Sequence, residues 1–149
     1  MLDETARRIL MVLQDEGRTS TAEIGRRLDL AQSTVYERIR EMERLGIIEG
    51  YAARLAAPKL GRGLLAFVRV HTAGRREAVL TGQRLAAIPD VQEVHHVAGE
   101  DCLLAKLRAR DTDDLWRLLR EHLDPIETIT STHTTIVLDT VKERARLAL

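Results

Sequence analysis

The stretch STAEIGRRLDLAQSTVYERIREMERLG, residues 20–46, decides the fold of the N-terminal part of the chain. Ser20 and Glu23 form a capping-box pattern, in which a hydroxyl accepts from the amide three residues later. This pattern predicts the start of a short helix that buries Ile24 and Leu28. The short helix is the first half of a two-helix motif.

A turn at residues 29–31 separates this helix from a longer one, predicted from about Gln32 to Leu45 and ended by Gly46. An earlier helix capped by Asp3 completes a three-helix bundle. A short helix, a tight turn and a longer helix are the layout of a helix-turn-helix. The predicted inward residues are Ala6, Ile9, Leu10, Leu13, Ile24, Leu28, Val35, Ile39 and Met42.

The outward face of the longer helix mixes amide, hydroxyl and guanidinium groups, the types that contact bases and phosphates in a major groove. On charge alone, an ordinary solvated helix face fits equally well, but the ordered motif favours DNA binding. Residues 47–55 alternate around Gly50, which predicts a small hairpin wing. The predicted DNA-contacting residues are Gln32, Ser33, Thr34, Tyr36, Glu37, Arg38, Arg40 and Arg54.

The charge balance limits the kind of DNA contact. The whole chain has net charge +0, and residues 1–55 carry 9 Lys+Arg against 10 Asp+Glu, so 9 − 10 = −1. DNA contacts must therefore come from a local row of arginines rather than from a basic field. A single cysteine, Cys102, and the lack of a signal-like or transmembrane stretch predict a cytoplasmic protein. No metal-ligand spacing or cofactor motif is found in the sequence.

The second half alternates strand and helix after a Gly- and Pro-containing linker at residues 56–63. The predicted order βαββαβ is that of a ferredoxin-like sandwich, so the whole chain is α+β. We therefore divide the chain into residues 1–55, the linker, residues 64–140 and a tail at 141–149. The predicted elements are strands Leu64–Thr72, Val91–Ala98, Cys102–Ala109 and Ile126–Leu138, and helices Arg75–Ile88 and one capped by Asp111.

One face of the predicted sheet is too apolar to be left in water. Leu65, Phe67 and Leu104 point away from the helices if the strands alternate regularly. Exposed apolar patches usually mark an interface, so the sequence predicts a homodimer formed through this face. A two-fold dimer also suits a helix-turn-helix, which then binds two half-sites.

Together these residues resemble the leucine-responsive/asparagine-regulator (Lrp/AsnC, feast/famine) family over essentially the full chain. The resemblance implies a DNA-binding transcriptional regulator, homodimers that assemble into tetramers or octamers, and a small-molecule effector such as an amino acid. By this resemblance the effector-binding residues are Gly99, Glu100, Asp101, Cys102, Thr132 and Thr134. Family members often have serine where this chain has Ala31. The residues that carry the resemblance include Leu2-Asp3, Gly17-Arg18, Ser33-Thr34-Val35, Arg38-Ile39, Gly46-Ile47-Ile48, Gly50-Tyr51, Gly99-Glu100 and Ile136-Val137-Leu138.

Three other interpretations remain open from sequence. The turn at Gly99 is also compatible with a hairpin that binds no ligand. The chain is also compatible with a ligand-binding module without DNA binding, because its net charge is zero and Ala31 lacks a capping side chain. A tetrapyrrole decarboxylase-like enzyme on the same fold would use histidines, but adjacent strand residues such as His95 and His96 point to opposite faces. The histidines of the second half are His71, His95, His96, His122 and His133.

Overall fold

The computed structural model describes residues 2–99 and 103–149 and divides the chain into two units, Met1–Arg54 with Lys142–Leu149, and Leu55–Val141. The first unit contains helices α1 (Glu4–Asp15), α2 (Thr21–Leu28) and α3 (Gln32–Arg44), which confirms the predicted helix-turn-helix. Its buried core is formed by Ala6, Ile9, Leu10, Ile24, Val35, Ile39 and Met42, with Leu13 and Leu28 partly buried beside them. None of the helices among the described residues has the length and apolar character needed to cross a bilayer.

Side-chain caps start two of these helices. Asp3 Oδ1 accepts from the Ala6 amide at 2.7 Å, and Ser20 Oγ accepts from the Glu23 amide at 3.2 Å. At α3 the N-cap is Ala31, which has no side chain to make such a bond. The first turn of α3 therefore lacks a contact that typically stabilises a helix by about 1 kcal/mol.

The turn between α2 and α3 depends on a close backbone approach at Gly25. The Leu30 amide donates to the Gly25 carbonyl at 2.9 Å, and Asp29 adopts the left-handed region at φ 56°. A Cβ at position 25 would lie 2.6 Å from the Leu30 carbonyl oxygen, which is closer than Cβ atoms come in proteins. Only glycine allows the chain to turn this tightly against α2.

The predicted hairpin at residues 47–55 is wrong. The structure assigns no strand there. The amides of Ile47 and Ile48 instead donate back to the Met42 carbonyl, at 2.9 and 3.2 Å, and so complete the end of α3. Alternation of apolar residues could not reveal this, because amides that close a helix are no longer available to a strand partner.

The tail predicted at residues 141–149 belongs mostly to the first unit. The Gln14 side chain binds the backbone of Leu147 twice: its Oε1 accepts at 2.6 Å and its Nε2 donates at 3.2 Å. Arg146 forms an ion pair with Asp15 at 2.9 Å. These contacts place the end of the tail against the last turn of α1.

The second unit has the predicted βαββαβ order. Its strands are β1 (Leu64–Thr72), β2 (Val91–His96), β3 (Leu103–Ala109) and β4 (Ile129–Ile136), and its helices are α4 (Arg75–Ala86) and α5 (Thr112–Leu118). The sheet order is β2-β3-β1-β4, and all neighbouring strands are antiparallel. A 3₁₀ turn at Ala57–Leu60 lies in the predicted linker, and a π-helical turn at Leu119–Leu123 continues α5.

Several of the predicted strands extend too far at one or both ends. The last strand starts at Ile129 and not at Ile126. The Ile126 amide donates to the Leu123 carbonyl, and the Ile129 amide donates to the Ile126 carbonyl, each at 2.9 Å, so the chain forms turns before the strand begins. Ile126 is nonetheless buried in the core of this unit. The first residue of the predicted third strand, Cys102, lies outside the described residues.

The two faces of the sheet differ as the strand alternation predicts, with one exception. Ala66, Val68 and Val70 of β1 are fully buried in the core that holds the helices. Phe67 and Leu104 are partly buried, but Leu65 is buried within the single chain. The Leu65 carbonyl accepts from the Val137 amide at 2.9 Å, so the chain after β4 continues beside it. Leu65 therefore does not belong to the apolar patch, which keeps Phe67 and Leu104.

A buried carboxylate ties α5 to neighbouring segments of this unit. The side chain of Asp114 is 1% exposed and accepts from Arg117 at 2.6 Å and from the side chain of Arg110 at 3.1 Å. The Arg110 amide also donates to it at 3.0 Å. Arg62, at the end of the linker, reaches the same carboxylate at 3.6 Å and Asp90 at 2.7 Å. These bonds, those from Arg110 first, hold the pKa of Asp114 well below its usual range.

Gly25→Ala should destabilise the first unit by about 1–3 kcal/mol, because the new methyl group would press on the Leu30 carbonyl. Gly82→Ala is the matched control, since a Cβ there would lie 3.5 Å from Leu103 Cδ2 in ordinary contact. The control should gain up to about 1 kcal/mol from helix propensity. Urea unfolding of both variants measures the difference. Equal stability of the two variants would contradict the close approach at Gly25.

Asp114→Asn should lower the thermal unfolding midpoint at neutral pH by several degrees. A carboxylate whose pKa is lowered in the folded state stabilises the fold above its unfolded pKa, and this stabilisation is lost as the pH falls through the folded pKa. The gap between wild type and variant should therefore narrow in acid. The control is Asp113→Asn, which removes an exposed carboxylate one residue away. A gap that stays constant from neutral to acidic pH would show that Asp114 acts only through its shape.

Candidate DNA interface and ligand cavity

The outward surface of α3 presents most of the predicted DNA-contacting side chains to solvent. Gln32, Ser33, Tyr36, Glu37 and Arg40 are exposed, while Thr34 and Arg38 are partly buried. Arg54, the remaining candidate, is exposed in an irregular segment. The buried residues of α3 lie on the opposite side, in the core of the unit. The helix can therefore present one polar face without disturbing its packing.

Ion pairs within the unit already engage two arginines of this surface. Arg38 contacts Asp3 at 2.9 Å and Glu41 at 3.4 Å, and Arg40 contacts Glu43 at 3.2 Å. These pairs are solvent-exposed, so each contributes little to stability and can rearrange around a phosphate. Each of these two arginines of α3 thus has a carboxylate beside it that balances its positive charge locally.

Contacts around the ends of α3 fix its orientation. Gln32 Nε2 donates to Thr21 Oγ1 of α2 at 3.3 Å, which connects the predicted contact surface to the preceding helix. Tyr51 donates to Glu43 at 3.3 Å. Burial, and then the nearby Glu43 carboxylate, raises the pKa of Tyr51. The hydroxyl therefore stays protonated and remains a donor at neutral pH.

The exposed end of α2 carries a second ionic cluster. Glu23 accepts from Arg26 and Arg27, each at 2.7 Å, and Arg27 also reaches Glu16 at 3.0 Å. The hydrogen bond from Arg26, followed by that from Arg27, lowers the pKa of Glu23 to about 2. Glu23 thus keeps its charge at neutral pH and balances both arginines. In a capping box the Glu23 side chain would reach back to the N-cap amide, whereas here its carboxylate binds these arginines.

The second unit contains an open cavity of about 480 Å³ between α4 and the segment that follows β2. Its walls combine an arginine and a histidine with small and apolar side chains. Gly99, which the sequence placed in the effector site, belongs to this lining and has φ 129°, in a region that favours glycine. The described lining residues are Gly74, Arg75, Ala78, Val79, His96, Val97 and Gly99.

The other predicted effector residues are not gathered in the described part of this lining. Glu100, Asp101 and Cys102 lie outside the described residues. Thr132 and Thr134 pair with Val70 and Val68 on β1, and they share a sheet face as predicted. Because β1 lies between β4 and β3, the threonines are two strand spacings, about 10 Å, from β3.

The histidines of the sheet are separated, as their positions in sequence predict. His95 pairs with Leu104 and binds Glu93 at 3.3 Å, whereas His96 faces α4. His96 Nε2 lies 3.6 Å from where a Cβ on Gly82 of α4 would be. Among residues 2–99 and 103–149, no three His, Cys, Asp or Glu side chains are grouped so that they could hold a metal ion.

Arg75 and Val79 line the cavity but were not among the predicted effector residues, and His96 was considered only as a strand histidine. One available signal was the pair Arg75-Arg76 at the start of α4. Positive charge in the first turn opposes the helix dipole, and such violations of local rules often mark functional sites. The N-cap of α4, Gly74, also makes no side-chain cap bond.

Comparison with known proteins finds one family model that matches each half of the chain. A model of the Lrp/AsnC ligand binding domain matches residues 65–147, and a model of winged helix-turn-helix DNA-binding domains matches residues 2–49. The chain is 34% identical to HTH-type transcriptional regulator FL11 of Pyrococcus horikoshii, over 99% of this chain and 97% of that protein. It is 36% identical to the leucine-responsive regulatory protein of Salmonella typhimurium, over 99% and 92% of the two chains.

A solved structure extends the likeness to both units. The chain is similar to a transcriptional regulator from Neisseria meningitidis in complex with L-methionine, with a TM-score of 0.94 and 26% identity over 99% of this chain and 97% of that chain. The matches cover the helix-turn-helix and the sheet domain in one continuous alignment. The chain therefore belongs to the Lrp/AsnC family of DNA-binding transcriptional regulators that carry a ligand-binding domain.

Proposed function

We propose that this regulator binds specific DNA sites as a homodimer and changes its DNA binding when its second unit takes up an amino acid or a related metabolite. The observation that carries the proposal is the exposed face of α3, held by the tight turn at Gly25 and presenting amide, hydroxyl and carboxylate groups. Such groups distinguish base edges in the major groove. The regulator then acts in the compartment that holds its DNA.

On DNA, the α3 surface divides into two roles. Arg38 and Arg40 exchange their carboxylate partners for phosphates, which sets affinity and makes it fall with salt. Gln32, Tyr36 and Glu37 face the groove and select bases, and a carboxylate such as Glu37 accepts from the amino group of cytosine. Ser33, Thr34 and Arg54 contact the sugar-phosphate backbone of the DNA around α3.

Two observations support a small-molecule effector. The ligand-binding family model covers the unit that contains the cavity, and a similar regulator from Neisseria meningitidis was solved with L-methionine. The effector is proposed to bind near Gly99, and Glu100, Asp101, Cys102, Thr132 and Thr134 are proposed to contribute to its site, as the resemblance to the family implies. Binding there changes DNA affinity through the packing of subunits.

A dimer through the open sheet face is supported by Phe67 and Leu104, which are only partly buried in the single chain. Pairing with a second copy would remove these apolar side chains from water. It would also set the distance between two recognition helices for a two-fold symmetric site. Tetramers or octamers would follow from further contacts between dimers.

Two observations favour a second candidate, a ligand-binding module that has lost DNA binding. Arg38 and Arg40 are both paired with carboxylates in the chain, and α3 lacks a side-chain cap. Selection of genomic fragments by the purified protein, with and without a pool of amino acids, separates the two. A recovered palindromic motif supports the regulator, whereas no enrichment in either condition supports the module. The relatives are transcriptional regulators, which argues against the enzymatic interpretation.

Arg40→Ala should weaken binding to every duplex several-fold and lower the slope of log affinity against log salt by about 1, as expected for one lost phosphate contact. Fluorescence anisotropy with a selected duplex and a scrambled duplex measures both quantities. Arg84→Ala, which removes the same charge from an exposed position on α4, is the control. An effect of equal size in the control would mean that net charge, and not the α3 surface, determines affinity.

Asp3→Asn should strengthen DNA binding and steepen its salt dependence. The change frees Arg38 from its 2.9 Å ion pair, while asparagine still caps α1. Glu4→Gln removes a neighbouring exposed charge without touching Arg38 and is the control. If both variants bind DNA equally, Arg38 does not contact phosphate.

A further inference from the structure

We propose that Thr21, at the start of α2, is a positioning residue that holds the amide of Gln32 in the orientation that binds adenine in the major groove. The inference rests on the proposed function in taking α3 as the helix that enters the groove. It goes further in two respects: it gives a role in base selection to a residue outside α3, and it names the base that Gln32 selects. The packing between the two helices and the hydrogen-bonding groups of a glutamine amide support it.

The start of α3 is fixed against one face of α2. Thr21 and Gly25 are four residues apart on α2, so they lie on the same face of that helix. The backbone nitrogen and the Cα of Gln32 lie 3.6 and 3.7 Å from where a Cβ on Gly25 would be. The backbone of Gln32 therefore packs over Gly25, one helical turn from Thr21.

The side chain of Gln32 reaches from this position to Thr21. Its Nε2 donates to Thr21 Oγ1 at 3.3 Å. Gln32 is exposed at the end of the α3 surface, whereas Thr21 is half-buried and so offers a more fixed acceptor. A long side chain that is free in water must lose its rotamer freedom when it binds a partner. The bond to Thr21 restricts that freedom before DNA is bound.

The same bond decides which groups of the Gln32 amide remain for a base. A glutamine amide has one carbonyl acceptor and two N–H donors. Because Thr21 takes one N–H, the carbonyl and the second N–H are left. Adenine presents a donor at N6 and an acceptor at N7, which match this pair. Guanine presents two acceptors, N7 and O6, and the remaining N–H can serve only one of them. The held amide therefore favours adenine.

The test uses the full-length protein and a pool of random duplexes, from which the bound molecules are recovered and sequenced. The wild type should select a motif with adenine at one position of each half-site. Gln32→Ala should lose this preference at least about fivefold, which identifies the position that Gln32 contacts. Selection of any base other than adenine at the position that Gln32→Ala changes would overturn the proposal.

Thr21→Val keeps the branched shape of the side chain but removes the acceptor. It should lower the adenine preference at that position about two- to tenfold, the range for the loss of one hydrogen bond. Thr21→Ser, which keeps a hydroxyl, should restore the preference. Thr19→Val is the matched control, because Thr19 is also half-buried but its hydroxyl donates to the Glu16 carbonyl at 2.8 Å. Unchanged selection at the other positions of the motif shows that each variant still folds.

A double variant separates positioning from a direct contact of Thr21 with DNA. If Thr21 acts through Gln32, Thr21→Val should not change base preference further in the Gln32→Ala background. A further change there would overturn the positioning role. A wild type that recovers no motif would overturn the proposed function, and the role of Thr21 with it. A recovered motif that Thr21→Val leaves unchanged would overturn the role of Thr21 alone.

Discussion

The register of β1 between β3 and β4 is the constraint on which the second unit depends. Successive strand residues point to opposite faces, so a slip of one residue would move Val68 and Val70 from the core to solvent. The pairing of β2 with β3 decides in the same way that His96 faces α4 while His95 faces the open side. The burial of aliphatic side chains in the core therefore also determines which polar groups surround the cavity and which lie on the open face of the sheet.

The first unit presents a DNA-binding helix although its surface is not strongly basic. The carboxylates of Asp3, Glu41 and Glu43 lie beside the arginines of α3 and offset their charge. Exposed pairs of this kind cost little to open, whereas the apolar side of α3 is fixed in the core. In the proposed function, DNA binding exchanges these carboxylate partners for phosphates.

The sequence predicted the helix caps, but it missed how the chain closes α3 and how segments distant in sequence pack together. Asp3, Ser20 and Asp111 were recognised as helix caps because a cap involves neighbouring residues. The hairpin expected at residues 47–55 does not form because its first amides close α3. Leu65 was predicted to be exposed, but it is buried, and the chain that follows β4 bonds to its carbonyl. Of the candidate site, the α3 surface was accessible to pattern analysis, and Gly99 was identified through the resemblance to the family. The pair Arg75-Arg76 was a visible sequence signal, but the place of Arg75 in the cavity depends on how α4 packs against β2.

The tail bound to α1 gives the chain an unusual connectivity. Since residues 142–149 return to the unit formed by residues 1–54, the ligand-binding unit is an insertion that begins and ends at the DNA-binding unit. The inserted unit forms a closed loop of the chain, because both of its ends are attached to the DNA-binding unit. The entropy cost of closing this loop depends on how freely its two ends fluctuate. A molecule that stiffens the insertion would narrow this fluctuation and change the stability of the helix-turn-helix itself. Ligand and DNA would then be linked through one subunit's chain entropy as well as through the geometry of the assembly.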